Sequence, residues 1–256
     1  MVTVDRIPSF TDNYIWALTN DRAKTCTLVD PGDAKPAIAY LEERQLDLTN
    51  ILITHHHHDH TGGVETLKSQ YGCLVYGPKS AKISGIDSFL KQGDRVTLPS
   101  LGVQLNVLEV PGHTLDHIAY VNDDWLFCGD TLFAGGCGRL FEGTPLQMWQ
   151  SLKSLKALPA QTQVFCAHEY TQANLSFARA VEPDNETLQQ RYNEVKIARA
   201  NDIPTVPSTI ELECQTNPFL RVEEQNVRQA AETFSGKSLS TPEDVFGCIR
   251  QWKDNF

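Results

Sequence analysis

An apolar, β-type run, Ile51-Leu52-Ile53-Thr54, stops abruptly at His55-His56-His57-His58-Asp59-His60. Five of the eight histidines in the chain fall within these six positions, with an aspartate among them. Imidazole nitrogen and carboxylate oxygen are ligands for zinc, iron and manganese. After the run, Thr61-Gly62-Gly63 followed by Val64-Glu65-Thr66-Leu67-Lys68 reads as a turn entering a helix. The histidines therefore sit on a loop at the end of a strand, where a rigid scaffold can aim several donors at one point. A purification tag or solvated polyhistidine tract is excluded, because it would be terminal and unbroken and would not follow a buried strand.

Three other strand-like runs end in the same way. Leu105–Val110 leads into Pro111-Gly112-His113-Thr114, Trp125–Cys128 into Gly129-Asp130-Thr131, and Val164–Ala167 into His168-Glu169-Tyr170. Open α/β sheets gather ligands outside the carboxyl ends of their strands. If these strands are neighbours, His55, His57, Asp59, His60, His113, Asp130 and His168 converge. That set is too large for one tetrahedral ion and fits two ions sharing a carboxylate.

These segments carry a resemblance. Thr54-His55-x-His57-x-Asp59-His60 resembles the signature of the metallo-β-lactamase superfamily, and the segments around His113, Asp130 and His168 follow in matching order. Gly135-Gly136-Cys137-Gly138-Arg139-Leu140-Phe141-Glu142-Gly143-Thr144 narrows the match to glyoxalase II, the hydroxyacylglutathione hydrolases. So do Phe10–Trp16, the Val29–Gly32 turn, and Arg250-Gln251-Trp252-Lys253-Asp254 near the end. The resemblance implies an α/β metallo-β-lactamase-like αββα sandwich, two packed mixed β-sheets with outer helices, followed by a C-terminal helical domain. It also implies two divalent ions, zinc being the expected metal, with iron or manganese admissible. One would be held by His55, His57 and His113, the other by Asp59, His60 and His168, with Asp130 bridging. Asp59 and Asp130 would thereby serve the catalytic hydroxide, since a metal lowers the pKa of bound water from about 16 to about 7. The implied substrate is an S-2-hydroxyacylglutathione, with S-D-lactoylglutathione the expected case, cleaved to glutathione and D-lactate as the second step of methylglyoxal detoxification.

Glutathione carries two carboxylates, so its pocket calls for Arg or Lys. Arg250 and Lys253 are three apart and share a face of an expected helix. On its own such a pair reads as solvated surface, but the family places basic residues here, together with Arg139, Tyr170 and Asn174. The sequence departs from many relatives at Phe141, where they carry Tyr, so one hydroxyl contact to the tripeptide is lost. His56, His58 and His117 read as partners of ligands, solvent-facing residues or packed histidines.

Along the chain, β-rich runs alternate with single helices expected at 36–44 and 146–158. Near residue 170 the pattern turns helical, with helices expected at 172–181, 185–200, 223–234 and 242–253. A proline-punctuated connector (Pro204, Pro207, Pro218) lies between the second and third of these. The expected division is a catalytic domain over 1–169 and an α-helical substrate-binding domain over 170–256. Thr241 is a natural N-cap for the last helix, with Pro242 in its first turn and Glu243 and Asp244 complementing the dipole.

A chain of 256 residues with 41% apolar content can bury a full core. The net charge of −10 and the lack of a basic stripe argue against nucleic acid. The start, Met1–Arg6, has no leader pattern, and no apolar run approaches spanning length, so a cytoplasmic protein without membrane association is expected, acting as a monomer. Seven scattered cysteines without a C-x-x-C pair read as reduced core residues. Cys137, in the glycine-rich segment, has no base beside it for a catalytic role. The competing readings are a one-iron glutathione persulfide dioxygenase, a lactonase or β-lactamase, and a metal-binding protein without turnover.

Overall fold

A computed structural model of the chain describes residues 2–20 and 22–256. The chain forms two compact units. The first runs from the N-terminal strand through Glu109 and includes Asp116–Gly129, and the second comprises Val110–Leu115 and Asp130–Phe256.

In the first unit the order is β1 (Thr3–Ser9), β2 (Asn13–Asn20), β3 (Thr25–Val29), α1 (Ala34–Arg44), β4 (Asp47–Leu52), α2 (His58–Thr61), α3 (Val64–Tyr71), β5 (Leu74–Pro78) and β6 (Ser88–Leu90). There follow β7 (Arg95–Leu98), β8 (Val103–Glu109), β9 (Ile118–Val121) and β10 (Trp125–Gly129). Strands β1 to β6 lie in sequence order in one mixed sheet. It is antiparallel from β1 to β3 and parallel from β3 to β6. Strands β7 to β10 form an antiparallel ladder. The Tyr120 hydroxyl of β9, fully buried, donates to the Ile53 carbonyl beyond β4 at 2.8 Å and ties one sheet to the other. Apolar side chains of β2 to β5 (Ile15, Leu28, Ile51, Val75) form a core with Ala37 and Leu41 of α1 and Leu67 of α3.

Helix α1 starts before the expected Pro36 because the Asp33 carboxylate accepts from Lys35 N–H and caps Ala34. Proline is tolerated there, since first-turn N–H groups have no helical partner. Parallel β3 and β4 are in register with Val29 opposite Leu52, so both strands end side by side. That pairing sets Asp30 beside Thr54 and the histidine loop.

The second unit holds β11 (Leu132–Phe133) and β12 (Gly136–Cys137), a tight antiparallel hairpin, then α4 (Pro145–Lys156), β13 (Gln163–Cys166), α5 (Thr171–Val181) and α6 (Glu186–Ala200). It continues with β14 (Ser208–Thr209), which pairs with β13, and α7 (Ile210–Thr216), α8 (Gln225–Ser235) and α9 (Pro242–Asp254). Its core includes Phe177, Phe219 and Phe246, all fully buried. Helix α7 lies where the sequence suggests only a connector. Thr209 accepts from Leu212 N–H, and Glu211 and Glu213 occupy the first turn, a start signal masked by the flanking prolines. The seven cysteines form no disulfide, and six are buried. Among the described residues no helix is long and apolar enough to cross a membrane.

Candidate metal centre

The seven expected donors fall into two sets, one in each unit. In the first unit, β4 hands the chain to Thr54 and His55, and α2 begins at His58. The rings of His55, His57 and His60 gather, with centroids 4.8 Å apart for His55–His57 and 4.1 Å for His55–His60. His55 and His60 are fully buried. A buried carboxylate orients them. Asp30 Oδ1 accepts from Thr54 N–H at 2.8 Å, and Oδ2 accepts from the Thr54 hydroxyl at 2.6 Å. Because a carboxylate only accepts, the single Thr54 hydroxyl proton is committed to Asp30. Thr54 Oγ1, 3.0 Å from His55 Nδ1, must then accept from that ring nitrogen. His60 Nδ1 donates to Asp30 Oδ2 at 2.9 Å. Both imidazoles thus carry hydrogen on Nδ1 and a lone pair on Nε2, the form that binds a cation.

Ligand atoms of Asp30, His55 and His60 lie within 4.8 Å of one another, but the Asp30 oxygens are engaged by Thr54 and His60, so Asp30 orients donors. Asp59 Oδ2 stands 3.5 Å from His60 Nε2 and accepts from Asn13 Nδ2 at 2.9 Å. Two glycines make the crowding possible. A Cβ on Gly32 would fall 1.8 Å from the Asp59 carbonyl oxygen. Gly129 adopts φ +47°, and a Cβ there would fall 2.4 Å from Thr54 Oγ1.

In the second unit, His113, Asp130 and His168 come together. Asp130 Oδ2 is 3.3 Å from His113 Nε2, and Oδ1 is 3.3 Å from His168 Nε2. Two donors each about 2.0–2.1 Å from a tetrahedral ion lie about 3.4 Å apart, so each carboxylate oxygen and its histidine match one edge of a coordination sphere. His113 Nδ1 donates to the Arg139 carbonyl at 2.8 Å, which again leaves Nε2 as the lone-pair nitrogen. The donor chemistry of both sets therefore fits divalent ions.

The remaining histidines have structural surroundings. His56 Nδ1 contacts both Asp116 oxygens at 2.9 Å, with Lys82 Nζ at 3.2 Å from Nε2. His117 stacks on His55 at 4.5 Å and donates from Nδ1 to the Ile118 carbonyl at 3.0 Å. His58 is exposed.

The expected substrate residues all lie in the second unit. Tyr170 stacks on His168 with centroids 4.7 Å apart, and Phe141 meets His113 edge-on at 5.2 Å while remaining largely exposed. Arg139 is exposed, with Nε 3.3 Å from Asp254 Oδ1. Asn174 is buried and donates to the Ala134 carbonyl at 3.1 Å. Arg250 is also buried, donating from Nη1 to the Cys137 carbonyl at 2.9 Å and from Nη2 to Asp254 at 3.0 Å. Lys253 is half-buried, its Nζ 5.3 Å from the Phe177 ring centre. Burial, and next the Arg250 charge, hold its pKa down to about 8. Asp30 was not among the expected site residues, although it too follows a strand directly, at the end of Thr25–Val29.

Residues 11–168 match the metallo-β-lactamase superfamily, and residues 169–256 match the C-terminal segment of hydroxyacylglutathione hydrolases. The fold agrees. It is similar to the crystal structure of ETHE1 from Myxococcus xanthus, at TM-score 0.69 and 24% identity, covering 97% of this chain and 90% of that one. It is also similar to a metallo-β-lactamase from Staphylococcus aureus subsp. aureus COL, at TM-score 0.64 and 19% identity, covering 98% and 71%. Fold and donor chemistry together define a metallo-β-lactamase-fold protein with a divalent-metal site and a C-terminal helical part. Full-length relatives narrow this further. The chain is 53% identical over 260 residues to the hydroxyacylglutathione hydrolase of Pseudomonas aeruginosa (strain LESB58), covering all of both chains. It is 52% identical over 259 residues to that of Photobacterium profundum, again covering all of both. The chain belongs to the hydroxyacylglutathione hydrolase family.

Proposed function

We propose that the chain is a binuclear thioester hydrolase that cleaves S-2-hydroxyacylglutathione, with S-D-lactoylglutathione as its substrate, to glutathione and a 2-hydroxy acid. The observation that carries this reading is the Asp130 carboxylate, one oxygen 3.3 Å from His113 Nε2 and the other 3.3 Å from His168 Nε2. A carboxylate that turns its two oxygens to two different imidazoles is built to be shared. His55, His57 and His113 would hold one ion, and Asp59, His60 and His168 the other, with Asp130 common to both. When bound, divalent ions supply Lewis acidity and bring the pKa of coordinated water near 7. All-nitrogen-and-oxygen donors suit zinc, and also iron or manganese.

The chain's own residues do the rest. Asp30 and the Arg139 carbonyl hold protons on the Nδ1 atoms of His60 and His113 and so keep the Nε2 lone pairs outward. The leaving thiolate needs little protonation, which agrees with the absence of a required general acid in this reading. Residues 1–169 would form the catalytic domain and 170–256 the helical substrate-binding domain. Arg139, Tyr170, Asn174, Arg250 and Lys253 would bind the tripeptide, with Phe141 offering a ring without a hydroxyl.

Metal analysis beside thioester hydrolysis tests this. Two ions per chain at saturation, with S-D-lactoylglutathione turned over, are expected. One iron with full activity, or oxygen uptake on a glutathione persulfide, would replace the proposal with the dioxygenase reading. Metal binding with no thioester turnover would leave a binding protein.

A further inference from the structure

Every residue from Phe133 to Cys137, in and around the β11–β12 hairpin, has a backbone group held by a side chain from the helical part. Asn217 Nδ2 donates to the Phe133 and Gly136 carbonyls at 3.2 and 2.9 Å, and Asn174 Nδ2 to the Ala134 carbonyl at 3.1 Å. Arg250 Nη1 donates to the Cys137 carbonyl at 2.9 Å. The Gly135 N–H donates to Glu213 Oε2 at 2.8 Å.

Glu213, on α7, is fully buried. Its Oε2 also accepts from Asn217 Nδ2 at 3.0 Å, and its Oε1 accepts from Ser208 Oγ and Arg191 Nη2, each at 2.5 Å. Arg191 is buried as well, and its other Nη donates to Thr216 Oγ1 at 2.5 Å. A buried ion pair of this kind is weak support for stability, because desolvation of both charges offsets their attraction. Its better-attested use is to fix one arrangement of the chain around it.

That arrangement leads to the donors. Asp130 lies just before the hairpin. Gly138 N–H bonds to the Thr131 carbonyl at 3.3 Å across its base, and the next carbonyl, that of Arg139, is the acceptor for His113 Nδ1. We propose that Glu213, anchored by Arg191, is a positioning residue for the metal centre. Through Gly135 and Asn217 it sets the 132–137 hairpin, and thereby the aim of Asp130 and the acceptor that orients His113. This rests on the assignment of Asp130 and His113 as metal ligands.

Two double variants separate positioning from plain structural support. Arg191→Met with Glu213→Gln removes the charge pair but leaves an oxygen for Gly135 N–H. Arg191→Met with Glu213→Leu removes the pair and that oxygen. Each is measured for zinc affinity by chelator competition, for amide exchange at Gly135 in the metal-free protein, and for kcat on a small thioester without the tripeptide. The Gln pair is expected to keep wild-type zinc affinity and slow exchange. The Leu pair should bind zinc roughly 10–100-fold more weakly, the range seen when groups behind metal ligands are lost, with faster exchange and lower kcat. Equal zinc affinity and exchange in the two pairs overturns the proposal. If the Leu pair does not fold, Asn217→Ala takes its place, and wild-type zinc affinity there overturns it equally. Zinc affinity and amide exchange do not depend on any thioester, so failure of the wild type to cleave a glutathione thioester would count against the proposed substrate alone.

Discussion

In the 54–60 loop, His55, His57, Asp59 and His60 follow one strand, and the groups that orient them, Thr54 and Asp30, stand at the ends of two parallel strands paired in register. Between residues 113 and 168 the donors are isolated residues, each behind its own strand. The groups that fix the segment between them, Asn174, Glu213, Asn217 and Arg250, come from helices up to 113 residues further along the chain. Donors clustered on one loop can be aimed by the sheet that carries the loop. Donors scattered along the chain need orienting groups from wherever the fold brings a partner. The two regions should therefore fail differently when disturbed.

The largest effect belongs to Asp130. Asp130→Asn removes a carboxylate whose two oxygens face two histidines, and it should lower kcat by roughly 10²–10³-fold, the scale seen when a preorganised charge-stabilising group is lost. Metal content measured on the same preparation should fall for both ions together. Loss of a single ion, or wild-type turnover, would refute the shared role and make the second unit's donors as independent as those of the loop.

Asp30→Asn tests the first region. Asp30 has φ +52°, a conformation that Asn tolerates better than most residues, so the backbone should survive the exchange. What is lost is an acceptor-only group serving Thr54 and His60. Zinc affinity should fall roughly 10–100-fold, and because the amide NH2 meets donors where the carboxylate accepted, stability should fall as well. An unaltered affinity would show that packing alone, including the stacked His117, is enough to aim the loop.

The same contrast explains what the sequence makes legible. The histidine loop, the strands before His113, Asp130 and His168, and most helices are visible because each is written in contiguous residues with a fixed period or cap. Asp30 obeys the same strand-then-carboxylate pattern but is followed by Pro31 and Gly32, so in the sequence it is indistinguishable from an ordinary turn residue. Helix α7 was hidden among prolines, and with it Glu213, whose role depends on Gly135 and Arg191, tens of residues away in either case. Arg250 is the expected partner of a ligand carboxylate, and the structure adds a second contact, its guanidinium buried against the Cys137 carbonyl, which no helical periodicity can reveal.

A smaller effect is expected at Lys253. Arg250→Ala would disturb both the hairpin and any bound carboxylate, so Lys253 gives the cleaner test of substrate contact. Its pKa is held down to about 8, first by burial and then by the Arg250 charge. Below pH 8 the ammonium is charged and can pair with a carboxylate, and above it that attraction fades. KM for a glutathione thioester should therefore rise between pH 7 and 9, whereas KM for a thioester lacking the tripeptide should not. Lys253→Met should raise KM at pH 7 by about tenfold, at the low end for a hydrogen bond to a charged group, and flatten the pH profile. The folding consequence has the opposite sense. The unfolded chain holds the proton up to its ordinary value of 10.5, so stability rises with pH between about 8 and 10.5. A KM independent of pH in the wild type would remove Lys253 from the binding wall.

The smallest effect tests a local signal placed within the region of non-local control. Thr241 and Asp244 form a reciprocal cap at the start of α9, each side chain accepting from the other's backbone N–H at 3.2 Å. Thr241→Ala removes one acceptor and should destabilise the fold by about 1 kcal/mol, a drop of roughly 2–4 °C in Tm for a chain of this size. Fraying at a helix start is confined to its first turn, and Arg250 lies two turns further on, where its grip on Cys137 is set by packing on Phe219 and by Asp254. Thermal unfolding should therefore shift while zinc affinity, KM and kcat stay at wild-type values. If zinc affinity falls with Tm, a cap written in four consecutive residues is helping to aim Asp130 and His113, and the distinction between local and distant positioning would not hold for the second unit.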